Sequence, residues 1–208
     1  MLQCRFAADC ASLGCRCDCR ARRRSVEKVI VGDPLDASTQ VGAIITPQHL
    51  TKVGAYVDQA RKAGAAIAHG GEVLDLGLGQ YMGPTILAGV KADMAVAREE
   101  VFGPVLSVLS FDTVEEAISI ANAVDYGLSA GVWSRDFDTC MTIGRKVRAG
   151  TVWMNTFMDG TPELPFGGYR QSGLGRELGR HAVEDYTETK TLNMHIGART
   201  GWWMPQAK

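Results

Sequence analysis

Arg98-Glu99-Glu100-Val101-Phe102-Gly103-Pro104 is the stretch on which the reading of this 208-residue chain turns. Gly103-Pro104 is a turn signal, and Val105–Phe111 (Val-Leu-Ser-Val-Leu-Ser-Phe) follows at once with the composition of a buried strand. If the stretch is extended, its side chains alternate, so Glu99 and Glu100 cannot both face one cleft. One is then buried or functional and the other solvated. A carboxylate accepts from a pair of sugar hydroxyls and an aromatic ring packs on a flat heterocycle, which gives a Glu next to Phe102 a ligand-holding chemistry. The alternative use of a Glu-Glu pair is a salt bridge with Arg98 or another neighbour.

Working outward, strands and helices alternate. Asp112-Thr113 starts a helix in which Thr113 and Glu116 fit a capping box, with Val114, Ala117, Ile118 and Ala121 on its buried face. Leu128–Trp133 reads as the next strand. Asp136 or Asp138 then caps a helix carrying Phe137, Met141 and Val147, which ends at Gly150, and Thr151–Met154 is a strand again. Upstream, Thr46-Pro47 opens a helix, since Thr caps and Pro fits the first turn. Leu50, Val53, Val57 and Ala60 give it one apolar face, and Gly64 stops it. A short strand at Ala65–Ala68 and an extended segment at Tyr81–Leu87 complete that half. Gly173–Tyr186 reads as one more helix and Thr189–His195 as a final strand. The alternation implies an α/β fold, mainly parallel sheet with flanking helices and right-handed crossovers.

Composition excludes other classes. The chain is 46% hydrophobic and 22% charged, with a net charge of -1, which gives no electrostatic argument for nucleic acid or an anionic membrane. No apolar run reaches the length of a membrane span, and no apolar signal core opens the chain, so a cytoplasmic location is expected.

In open α/β folds ligands collect at the carboxyl ends of parallel strands. Asn155 sits there, directly after Thr151–Met154. The loop Thr156–Gly168 that follows mixes Phe157 and Phe166 with Met158 and the carboxylates Asp159 and Glu163. It is either a pocket wall or an ordinary surface loop. Gly167, Gly168, Gly173 and Gly175 lack the Lys-Ser/Thr of a phosphate loop and the strand-led G-x-G-x-x-G of a dinucleotide fold, so tight packing of a turn is the better account.

Three segments carry a resemblance: Glu99-Glu100-Val101-Phe102-Gly103-Pro104, then Gly150-Thr151-Val152-Trp153-Met154-Asn155-Thr156, then Pro165-Phe166-Gly167-Gly168-Tyr169-Arg170-Gln171-Ser172-Gly173-Leu174-Gly175-Arg176-Glu177. In this order and spacing they resemble the C-terminal half of an NAD(P)-dependent aldehyde dehydrogenase, from about Val26 to about His195. The resemblance implies oxidation of a small aldehyde to a carboxylic acid with NAD or NADP. It implies that Glu100 meets the nicotinamide ribose and Phe102 the nicotinamide. Asn155 would lie near the active-site opening, Phe166 would line the aldehyde tunnel, and Met158 and Gly160 would take loop positions that vary with substrate. Asn155-Thr156-Phe157-Met158-Asp159-Gly160 resembles the branches acting on betaine aldehyde and aminoaldehydes. Arg170 stands where the family more usually has lysine. A homo-oligomer, dimer or tetramer, is implied for the full-length form, with the segment after Tyr186 as the oligomerisation strand.

The family's nucleophile is a cysteine thiolate in a Gly-Gln-x-Cys context. Leu2-Gln3-Cys4 imitates it with one residue missing and no glycine, and makes Cys4 the candidate. The general-base glutamate and the dinucleotide-binding domain have no counterpart here, so the chain reads as a fragment. Five of the six cysteines, Cys4, Cys10, Cys15, Cys17 and Cys19, fall in an arginine-rich opening without periodicity. Residues 1–25 are therefore set apart, as a segment read out of frame or as a cysteine-based metal or redox module; 26–186 form the partial catalytic domain and 187–208 the oligomerisation strand and tail. No metal site is expected within the domain. The alternative function is that of a non-catalytic fragment which associates with full-length subunits.

Overall fold

The computed structural model describes residues 3–7, 24–77 and 79–197, with backbone alone for 3–7. Helix α1 (Pro47–Lys62) begins as its sequence dictates: Thr46 Oγ1 accepts from the His49 N–H at 3.1 Å and Pro47 occupies the first turn. Its buried face is Val53, Val57 and Ala60. It packs with α2 (Ala95–Arg98) over strands β5 (Thr85–Ala88) and β6 (Val105–Val108). The resulting core includes Val53, Met82, Leu87, Val96 and Val101.

The sheet of this half has the order β2-β5-β6, where β2 is Ala66–His69. β5 and β6 run parallel from Thr85 opposite Val105, while β2 is antiparallel to β5. Tyr81–Leu87 is not one extended segment. β4 (Tyr81–Met82) pairs with β3 (Val73–Leu74), and β5 starts a new pairing after Gly83-Pro84, because proline has no N–H for a ladder.

A second core holds Ala117, Ile118, Ala121, Ala130, Val132, Cys140 and Ile143. It lies among α3 (Val114–Asn122), α4 (Phe137–Lys146) and the strands β8 (Ser129–Trp133) and β9 (Thr151–Met154). In α3 Thr113 Oγ1 accepts from Glu116 N, but the Glu116 carboxylate returns to the N–H of Asp112 instead of Thr113. Asp136, not Asp138, caps α4, accepting from Thr139 N at 2.8 Å and from the Thr139 hydroxyl. The apolar face of α4 is partly shifted from the expected one: Val147 is buried as expected, but Cys140 and Ile143 are buried in place of Phe137, which is 73% exposed.

β8 and β9 are parallel, from Ser129 opposite Thr151 to Val132 opposite Met154. β6 and β8 belong to different sheets, so the first expected crossover links two sheets rather than two neighbours in one. Upstream of the expected start at Ser25, β1 (Gln3–Ala7) runs parallel to β8, with Cys4 opposite Ala130. The remaining cysteines of the opening and Trp202-Trp203 lie outside the described residues.

At the C-terminal end the expected helix is shortened, and the expected strand has no partner among the described strands of one chain. Only Gly179–Asp185 (α5) is helical within 173–186, since Gly173, Gly175 and Leu178 take positive φ, which ends a right-handed helix. Thr189–His195 carries no strand pairing: a strand needs a neighbour for its N–H and C=O groups, and none of the described strands pairs with this segment. Between β9 and α5, Tyr169–Arg170 (β10) pairs antiparallel with Tyr126–Gly127 (β7). Among the described residues, no helix is long and apolar enough to cross a membrane.

Candidate functional site

The segment Glu99–Gly103 leaves α2 and enters β6, and one face of α1 grips it at three points. Tyr56 Oη donates to Glu99 Oε2 at 2.6 Å. That bond, with burial and the Glu99 charge behind it, raises the Tyr56 pKa above that of a free phenol. A Cβ on Gly103 would lie 2.7 Å from Val53 Cγ1, so only glycine seats the turn this close to the helix. His49 Nε2 lies 2.7 Å from the Phe102 carbonyl oxygen, with the two rings edge to face at 6.5 Å. His49, Val53 and Tyr56 stand at i, i+4 and i+7, which is one stripe of a helix.

The result is a committed Glu99, a buried Val101, and a Phe102 ring held outward and 69% exposed. Phe102 takes φ +56°, a strained conformation for an aromatic residue. Glu100 is half-buried between Glu99 and Val101. The sequence separated the two carboxylates by alternation alone; His49 and Tyr56 were missed, because their partners lie 53 and 43 residues away. The signal available was that both fall on the α1 stripe flanking Val53.

The second group sits at the carboxyl ends of β8 and β9. Asn155, at φ +55°, accepts from Ser134 N on Oδ1 and donates from Nδ2 to Ser134 O, both at 2.9 Å. Its amide thus fastens the end of β9 to the end of β8. Phe157 packs edge to face on Trp153 at 5.0 Å and near Trp133 at 6.4 Å, and Trp153 Nε1 donates to Asp159 O at 2.8 Å. These contacts fix the loop that presents Met158, at φ +55° and 68% exposed. Gly160 is exposed, with open space where a Cβ would stand. Phe166 is half-buried and exchanges two 2.7 Å backbone hydrogen bonds with Glu177.

The glycines serve packing. A Cβ on Gly150 would fall inside the carbonyl oxygen of Gly167, and one on Gly168 would meet Ser172 Cβ at 2.5 Å. Arg170 donates to the carbonyls of Asn122, at 3.0 Å, and Val124. The shallow hollow lined by Ala121, Tyr126, Ser129 and Arg148 lies at the opposite, amino end of β8. Cys140 is buried against Ser134 O, and Cys4 stands within the β1 ladder. Among the described residues no cluster of three or more His, Cys, Asp or Glu is arranged to hold a metal.

Residues 20–192 match the Aldehyde dehydrogenase family. The chain belongs to that family. It is 44% identical over 171 residues to a betaine aldehyde dehydrogenase of Cereibacter sphaeroides, covering 82% of this chain and 35% of the relative. It is 43% identical over 173 residues to a betaine aldehyde dehydrogenase of Rhizobium etli, covering 82% and 36%. Among solved structures, an NAD-dependent aldehyde dehydrogenase from Sinorhizobium meliloti superposes with a TM-score of 0.86 at 44% identity, over 96% of this chain and 39% of that one. An NAD+ complex of aldehyde dehydrogenase from Bacillus cereus gives 0.84 at 36% identity, over 94% and 39%. This aldehyde dehydrogenase chain therefore spans about a third of the length of the curated relatives it matches.

Proposed function

We propose that the chain supplies part of the active site of an aldehyde dehydrogenase that oxidises a small aldehyde to a carboxylic acid, with NAD+ or NADP+ taking up the hydride. The observation that carries this reading is the held pair: Phe102, strained and presented outward, beside Glu100, with Glu99 already bound to Tyr56. A carboxylate suits a ribose diol and an exposed ring suits a nicotinamide, so the residues fit the cofactor. Asn155, Met158, Gly160 and Phe166 form the aldehyde side. The curated relatives named betaine aldehyde dehydrogenases, at 43–44% identity, support an aldehyde of the betaine or aminoaldehyde type. The protein acts in the cytoplasm as a homo-oligomer.

Cys140 receives no catalytic role, since its thiol is 3% exposed and turned toward Ser134 O. Cys4 is the nucleophile candidate. The test is a chimera in which this chain replaces the matching segment of the Sinorhizobium meliloti enzyme. Aldehyde-dependent NADH formation that falls on Phe102→Ala supports the reading. A fully folded chimera that binds neither NAD+ nor aldehyde overturns it. The isolated chain is expected to form no measurable NADH, and activity abolished by Cys4→Ala would make Cys4 the nucleophile.

A further inference from the structure

The tightest contact to the Phe102 backbone comes from a side chain that the expected chemistry does not use. His49 is half-buried on α1, and its Nε2 is 2.7 Å from the Phe102 carbonyl oxygen. A carbonyl only accepts, so this nitrogen carries a proton and donates. The residue it reaches has φ +56°, which an L side chain rarely adopts unless its surroundings impose it. Gly103, the next residue, rests on Val53 one turn further along the same helix. The strained turn is thus pinned by a donor and by close packing, both from one face of α1.

We infer that His49 is the positioning residue that holds Phe102 in its left-handed conformation and so aims the ring. This rests on the proposed function for the purpose of the aim, but the pinning itself is separately testable. Chymotrypsin cleaves after phenylalanine and binds its substrate extended, so Phe102 held at φ +56° resists cleavage and a released Phe102 does not. The chain as it exists is digested alongside His49→Ala and His49→Gln, whose side-chain amide retains a donor. Cleavage at Phe102–Gly103 is followed by mass spectrometry, with Phe157–Met158 as an internal control for general unfolding.

The expected result is that His49→Ala raises the Phe102 cleavage rate about fivefold, the factor set by one net hydrogen bond. The control bond should be unchanged, and His49→Gln should stay close to the parent. An unchanged rate in His49→Ala overturns the inference. A raised rate that His49→Gln fails to restore overturns it too, since ring packing and not the donor would then hold the turn. A rise at both bonds means that His49 supports the fold at large, which also overturns it. In the chimera with the Sinorhizobium meliloti enzyme, which supplies the rest of the cofactor site, added NAD+ should protect Phe102. If it does not, while the variants behave as expected, the pinning stands and the cofactor reading fails.

Discussion

Tyr56 donates a 2.6 Å hydrogen bond to Oε2 of Glu99, and this contact ties the first of two adjacent carboxylates to α1. Glu99 is turned onto α1 and belongs to the scaffold. Glu100 is the carboxylate proposed to meet the cofactor.

In a full-length context, Glu100→Gln is expected to weaken NAD+ binding by about 1 kcal/mol or somewhat more, because a charge-assisted bond becomes a neutral one. Glu99→Gln should leave NAD+ affinity within about twofold and act on stability instead. Calorimetric titration of both variants checks the assignment, and the reverse pattern would show that the other carboxylate contacts the cofactor.

Asn155 predicts a graded loss of stability. Asn155→Ala removes both bonds to Ser134 and leaves an alanine at φ +55°, for a cost of about 2–3 kcal/mol. Asn155→Gly loses the same bonds but relieves the backbone, and should recover about 1 kcal/mol of that. Urea unfolding of the three proteins measures the difference. Equal stabilities for the Ala and Gly variants would mean that the positive φ carries no strain.

How far the sequence could be read divides along the range of the interactions. Thr46-Pro47, Thr113 and Asp136 act on backbone within four residues, and each begins a helix where its chemistry says it should. Thr151–Met154 is a strand over the residues its composition marks, whereas the strand expected over Val105–Phe111 stops at Val108. His49 and Tyr56 could not be read as site-builders, since only the folded chain brings Phe102 and Glu99 to them. Phe137 and Met141 looked like core by spacing, but the position of β8 under α4 selects Cys140 and Ile143. The strand expected after Tyr186 depends on a neighbour, and a sequence does not carry its neighbour's hydrogen bonds.

The glycines supply a matched pair. Gly150→Ala drives a Cβ into the Gly167 carbonyl and should prevent the Phe166–Arg176 turn from closing, at a cost above about 3 kcal/mol. Gly160→Ala meets open space and should be neutral or stabilising by a few tenths of a kcal/mol. Thermal unfolding separates them, and a tolerated Gly150→Ala would show that this packing is loose.

Acid should loosen α4 first at its cap. Hydrogen bonds from the Thr139 hydroxyl and then its N–H hold the Asp136 carboxyl below the ordinary aspartate value of 3.8. A lowered folded pKa contributes stability above the unfolded value and loses it as pH falls through the folded one. Asp136→Asn keeps an acceptor but cannot titrate. The parent's stability advantage over this variant should therefore be constant at neutral pH and shrink below pH 3.8. An advantage that instead grew toward low pH would contradict the assigned cause.

Leu192, Met194 and Ile196 are each more than four-fifths exposed, on a segment without pairing of its own. The chain is expected to self-associate through them, and ending it after Tyr186 should lower its mass in light scattering. An unchanged monomer before and after would remove the oligomerisation role.

The two hydrophobic cores set a limit on how the site can fail. The Phe102 turn rests on the Val53 core and the Asn155 loop on the Val132 core. If each core opens as its own cooperative unit, thermal opening or a disabling substitution should reach one half of the proposed site first. A ligand that contacts both halves favours the state in which both are closed, and its binding energy becomes coupling between the two units. Hydrogen exchange would read this directly: two classes of protected amide without ligand, merging toward one when the ligand spans the divide.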